Sequence, residues 1–231
     1  MLVTVSGFLF SLALATPQTP AFEPTSSYSE FQIEGFTVRI AKAARGEKAD
    51  LEQAIALLTL RFGEIVRRVP TGALVTLRKI PVWVQKEDPL CPCMTYHPDP
   101  GWLKEHGMNP DMAKGIELAN LKNFVLWSVD QPMMVLHEMS HGYHDAKFGF
   151  EGKLVLDAYK NAMDHHLYDE VNYYRGQKKK AYAATNQMEY FAELSEAYFG
   201  YNDFFPFTNP ELAQHDPVGY QMVKSAWGVG D

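Results

Sequence analysis

His137-Glu138-Met139-Ser140-His141 sets two imidazoles four residues apart, with a carboxylate next to the first. On an α-helix, positions four apart lie on one face, so His137 and His141 can aim at a single point with Glu138 beside it. Two neutral nitrogen ligands and a nearby base are what a catalytic zinc site uses: the first pair holds the ion, and the acid serves the water it activates.

Two histidines under-coordinate zinc, because catalytic sites use three protein ligands and a water. One large class of zinc hydrolase takes a third His six residues after the second, with a Gly midway. Here those positions hold Lys147 and His144, which excludes that class. The other common source is a carboxylate on a separate helix. Glu189, Glu193 and Glu196 stand at i, i+4 and i+7 and form one acidic stripe between Tyr190, Phe191, Leu194, Tyr198 and Phe199. Such a stripe is usually a wet surface, but these neighbours leave little of the helix to be wet. Burying it requires a cation; zinc can take at least one carboxylate, and a hydrogen bond to a ligand histidine can use another. On spacing alone any of the three can be the ligand.

Tyr182 lies seven residues before Glu189, and a phenol near the metal can donate to the oxyanion of a tetrahedral intermediate. His-Glu-Met-Ser-His followed by Tyr-x6-Glu resembles the zinc peptidases of the anthrax lethal factor type, including the related secreted proline-specific endopeptidases. The resemblance spans about residues 130 to 200. It implies a zincin-like fold, with His137, His141 and Glu189 as zinc ligands, Glu138 as general base and Tyr182 as stabiliser of the transition state. A wider stretch, from Trp102 to the Asp203-Phe204-Phe205-Pro206-Phe207 run, is similar to uncharacterised secreted bacterial proteins of metallopeptidase-like type. Nothing in the chain resembles the toxin's substrate-recruiting domains, so no substrate is implied.

The remaining candidates read as supporting or structural. His144 reads as a helix-surface residue or a hydrogen-bonding neighbour of the ligands, and Asp145 is placed to orient His141 or to face solvent. His165 and His166, with Asp164 and Asp169, read as solvated surface, since adjacent helical side chains point about a hundred degrees apart. His97 sits in a long loop that can reach the cleft. Cys91 and Cys93 flank Pro92, and they read as a local disulfide or free thiols before a ligand pair, because two thiols alone complete no structural zinc site.

The elements that must position these groups follow from periodicity and breakers. Phe31 to Ile40 alternates as a strand; Glu47 to Val69 carries apolar residues at helical spacing until Pro70-Thr71-Gly72. Ala73 to Ile80 and Val82 to Val84 read as strand, bent at Pro81. Residues 86 to 110 read as a long cleft-wall loop with a short helical piece at Trp102 to His106. Ile116 to Ala119 reads as the strand that borders the cleft. Phe124 to Trp127 leads to Asp130 and Pro132 as start signals for the His137 helix, which stops at Gly149. Leu154 to Tyr174 and Asn186 to Phe199 read as helices, separated by a basic turn at Arg175 to Lys180. Asn209-Pro210 and Asp216-Pro217 open two short helices.

With 231 residues, 46% hydrophobic, the chain suits one core. A net charge of −7 gives no basic footprint for nucleic acid. The uncharged apolar start, closing on Ala13-Leu14-Ala15, reads as a signal peptide cut after Ala15, too short to span a bilayer. The resulting expectation is a signal peptide (1–15), a flexible leader (16–30) and one α+β, zincin-like domain (31–231). That domain combines a small mixed sheet, an active-site helix and a mostly helical C-terminal half. It is expected to be secreted or periplasmic, with no stable membrane span, to hold Zn2+, and to act on peptides or proteins. Two other readings compete. One is a zinc-binding extracellular or envelope interaction module that does not cleave; the other is zinc that only ties two helices together. Glu138 argues against the module, which needs ligands but no base, and a tie would need another His or Cys to close the site.

Overall fold

The computed structural model describes residues 22–230. The signal-peptide segment and the first part of the leader lie outside them. In chain order the elements are β1 (Ser29–Ile33), β2 (Phe36–Ile40), α1 (Lys42–Gly46), α2 (Lys48–Arg68), α3 (Thr71–Leu77), β3 (Val82–Val84) and β4 (Met94–His97). Then come α4 (Pro100–Glu105), β5 (Gly115–Leu118), α5 (Leu121–Trp127), α6 (Met134–Phe148) and α7 (Lys153–Asp164). β6 (Val171–Asn172), β7 (Lys178–Lys179), α8 (Gln187–Phe199), α9 (Asn209–His215) and α10 (Pro217–Trp227) complete the chain. The class is α+β, as the sequence predicts. Among the described residues no helix is long and apolar enough to cross a membrane.

The five-stranded sheet runs β1-β2-β3-β5-β4, with β2, β3 and β5 parallel and an antiparallel strand at each edge. Strand alternation divides its two faces. Val38, Val82, Val84, Ile116 and Leu118 face the main core, where α2, α6 and α8 pack. Phe36 stacks on Phe62 of α2 at 4.2 Å, and both are fully buried. Burial of a side chain of this size contributes about 1.5–3 kcal/mol. Trp83 points to the other face, into a smaller core with Cys91, Leu103, Met108 and Met112.

Several expectations require correction. The leader is ordered from Phe22 onward: Thr25–Ser27 is a 3-10 turn, and β1 begins at Ser29. The single strand expected at Phe31 to Ile40 is a hairpin, turned by Glu34 and Gly35 at φ 52° and 84°. Ala73 to Ile80 is not strand; α3 covers most of it. Ala73, Leu74 and Leu77 are buried and Val75 is 63% exposed, whereas a strand would put Val75 on the face of Ala73 and Leu77. The loop from 86 to 110 contains β4, and the strand at Ile116 to Ala119 is interior, so the edge strand is β4. The Phe124 to Trp127 lead-in is part of helix α5, and α6 starts at Met134 without a side-chain cap; Asp130 pairs instead with Arg175. The helix expected to reach Tyr174 stops at Asp164, where His166 turns the chain at φ 56°. Its expected apolar position Val171 belongs to the β6/β7 hairpin, which includes part of the basic Arg175 to Lys180 stretch.

Candidate metal centre

Helix α6 is buried along most of its length, so its polar residues face protein. Gly142, directly after His141, makes that possible. A Cβ there would come within 2.6 Å of Ile80 Cδ1 and 3.1 Å of the Tyr96 ring, so a larger residue would force both side chains to shift. Helix α8 packs alongside. Asn186 caps it, with Oδ1 accepting from the Met188 and Glu189 amides at 2.9 Å each, a contribution of about 1 kcal/mol. The cap fixes Glu189 in the first turn, where the helix dipole favours a carboxylate.

The two helices bring His137, His141 and Glu189 together, with one ligand atom from each inside 4.8 Å. Glu189 Oε2 lies 3.0 Å from His137 Nε2 and 3.3 Å from His141 Nε2. Two ligands each 2.0–2.1 Å from a tetrahedral zinc are about 3.3 Å apart, so this donor set fits such an ion with little rearrangement. Glu196 Oε1 lies 2.6 Å from His137 Nδ1, placed to fix the ring so that Nε2 faces Glu189. Glu193 is farther, 3.9 Å from Nδ1, and accepts from Asn202 Nδ2 at 3.1 Å. Glu193 and Glu196 are 3% and 6% exposed, so the acidic stripe is not a solvated face.

The electrostatics call for a cation. Burial disfavours a charged His137, but hydrogen bonds to Glu189 and Glu196 outweigh it and raise its pKa well above the ordinary imidazole value. Burial also pushes Glu193 and Glu196 up, while His137 and His141 hold Glu189 well below the usual carboxylate range. The ligands bind metal in their deprotonated form, so metal uptake would displace any proton held on His137. Glu196→Ala should therefore weaken metal binding by roughly 10–100-fold, the range for loss of an outer partner, and Glu193→Ala by less. Competition with a chromophoric chelator measures both; equal losses would contradict the assignment.

The group opens into a cleft of about 390 Å³, lined by Tyr96, Trp127, Glu138, Tyr182, Met188 and Asp203 among others. Glu138 Oε2 accepts the Tyr96 amide at 2.8 Å, which ties the acid to the edge strand. Tyr182, from the short 3-10 turn before α8, is 46% exposed, and its ring lies 6.2 Å from that of His137. Burial and the Glu189 charge raise its pKa, so the phenol keeps its proton at neutral pH.

Other predicted residues stand elsewhere. His97 does not reach the cleft; it is buried on the opposite face of the sheet, 2.9 Å from Glu117. Asp145 does not orient His141; it accepts from Tyr96 Oη and Lys114 Nζ, both at 2.7 Å. His165 and His166 are exposed, as expected. Cys91 and Cys93 are buried free thiols, and burial pushes each up to about 12. Sequence reasoning gave no role to Tyr96, Gln131 or Asp203, which line the cleft. Asp203 had a signal, as an acid in an apolar run; the Tyr96 amide had none, because β4 was read as loop.

His144 is neither surface nor partner. It is fully buried against Phe150 and Phe191, and neither ring nitrogen has a hydrogen-bond partner. Burial, then the nearby His141, lowers its pKa from 6.5 to about 4. The unfolded chain binds this proton more readily, so stability is full above the unfolded value and falls as pH drops towards the folded one. The total is roughly 3 kcal/mol. His144→Leu should flatten the dependence and be neutral or stabilising at neutral pH, as it removes two unpaired buried nitrogens. Urea melts of both chains at about pH 7 and about pH 4.5 test this; parallel curves would contradict it.

Comparison of the chain with protein-family models, with curated proteins and with solved structures gives no match.

Proposed function

We propose that this chain is an exported, zincin-like zinc peptidase. One observation carries the reading: Glu138, a base that a binding module does not need, lines the same cleft as the convergent His137, His141 and Glu189. The zinc is assigned from the donor set, two imidazoles and a carboxylate with room for a water. When bound, it supplies Lewis acidity and lowers the pKa of a water towards neutrality.

The chain's own residues do the rest. Glu138 takes the proton of the attacking water and returns it to the leaving amine. Tyr182 donates to the oxyanion that develops on the scissile carbonyl. β4 pairs with β5 on one side only, and Thr95 and Tyr96 line the cleft, so an extended peptide can align along its outer edge by strand addition, competing there with Glu138 for the Tyr96 amide. The apolar, uncharged N-terminal stretch supports export.

A peptide-library cleavage assay tests the reading. Within it, Tyr182→Phe should lower kcat by roughly 10²–10³-fold with little change in KM, as for loss of an oxyanion donor. An unchanged kcat would remove Tyr182 from the mechanism, and no cleavage of any peptide by the zinc-loaded chain would remove the peptidase.

A further inference from the structure

Behind the cleft, on the opposite face of the sheet, Cys91, His97 and Glu117 converge in the smaller core. One ligand atom from each lies inside 4.8 Å of the others. Glu117 is fully buried on the interior strand β5, and His97 on the edge strand β4 and Cys91 in the preceding loop are almost so. Glu117 Oε2 is 2.9 Å from His97 Nε2 and the Cys91 Sγ lies within 4.8 Å of the group, yet Oε1 has no hydrogen-bond partner. The surroundings are apolar: Trp83, Leu103, Met108 and Met112.

A carboxylate taken fully out of water is costly unless every oxygen is satisfied and the charge is met. Among the described residues no Lys or Arg pairs with Glu117; the group that approaches it is the His97 imidazole. A thiolate, a carboxylate and a neutral imidazole carry two negative charges, which one divalent cation cancels, and the unpartnered Oε1 is free to help complete its coordination. The donor set selects the metal class. Thiolate and imidazole suit zinc and its transition-metal relatives and do not suit magnesium or calcium.

We propose that Cys91, His97 and Glu117 form a structural zinc-class site, separate from the cleft, which clips the loop before β4 and β4 itself onto β5. The clip would act on the cleft from behind. The segment it pins carries Cys93, Met94 and Tyr96 on its other face, where they line the cleft, and the Tyr96 amide holds Glu138.

Cobalt distinguishes the two sites, because only this ligand set contains a thiolate, and Cys93→Ser controls for the one thiol that lines the cleft. The full chain, produced in cobalt-supplemented medium, should show a near-ultraviolet thiolate-to-cobalt charge-transfer band. The band should persist in Cys93→Ser and in the His137→Ala/His141→Ala double variant, and vanish in Cys91→Ser. Bound cobalt should fall by one ion per chain in the double histidine variant and leave one behind. A wild-type chain without the band would overturn the proposal. So would a band that follows Cys93 or the histidine pair, or one that survives Cys91→Ser. Because wild type, Cys93→Ser and the histidine variant leave Cys91 intact, they decide the matter even if Cys91→Ser does not fold. Loss of the peptidase reading would leave the charge-transfer band untouched, since no residue is shared; only the fall of one ion per chain depends on the cleft.

Discussion

Glu138→Gln should bind metal like the wild type and lose peptide hydrolysis by roughly 10²–10⁴-fold, the contribution of a positioned general base. The substitution is nearly isosteric, and the amide oxygen can still accept the Tyr96 N–H that Glu138 Oε2 accepts at 2.8 Å. It therefore leaves β4 and α6 in place and removes only the ability to take a proton from water. His137, His141 and Glu189 are untouched, so the metal content should not change. Steady-state cleavage of the best library peptide, with metal analysis on the same samples, gives both numbers. Undiminished cleavage would mean that another group is the base, and lost metal would mean that Glu138 belongs to the ligand set.

Glu189→Ala removes the carboxylate that approaches both histidines, at 3.0 and 3.3 Å. The expected loss of metal affinity exceeds the roughly 10–100-fold typical of an outer partner such as Glu196. Thermal stability should register it too. A ligand that binds only the folded state at a hundred times its Kd adds about 2.7 kcal/mol, and the variant should show almost none of this gain from the cleft site. Glu193→Ala is the control on the same helix face, because Glu193 hydrogen-bonds to Asn202 and is 3.9 Å from His137. Metal retained by Glu189→Ala and lost by Glu193→Ala would move the ligand one turn along α8.

The sequence carried the parts of this site that depend on local spacing. His137 and His141 share a helix face by periodicity, and Glu189, Glu193 and Glu196 share another for the same reason. That the stripe calls for a cation had a local clue, since three acids among aromatics are costly to bury, but which acid is the ligand did not. Residues whose surroundings come from distant chain were not legible. His97 lay in a Pro-rich loop, and only the pairing of β4 with β5 carries it behind the sheet to Glu117. Asp145 is drawn from His141 by Tyr96 and Lys114, which lie 49 and 31 residues away. His144 shows the limit of helical periodicity, because α6 is covered on nearly all sides and a polar residue off the ligand face is buried as well. The fold divides the same way. The bounds of α2 and α8 are legible to within a residue or two, whereas the end of α7, β4 and the β6/β7 hairpin depend on partners the local pattern does not name. At α3 the β-branched residues misled, although burial at 73, 74 and 77 was helical in spacing.

The proposed peptide hydrolysis requires both a metal in the cleft and the chain's own base. Its most direct test is library cleavage by the chain stripped of metal and then titrated with zinc, beside a His137→Ala/His141→Ala variant that cannot load the cleft. The stripped chain should not cleave, activity should recover as zinc fills the cleft, and the variant should stay inactive at any zinc concentration. Cleavage by the stripped chain or by the histidine variant, or silence from the fully loaded wild type, would contradict it.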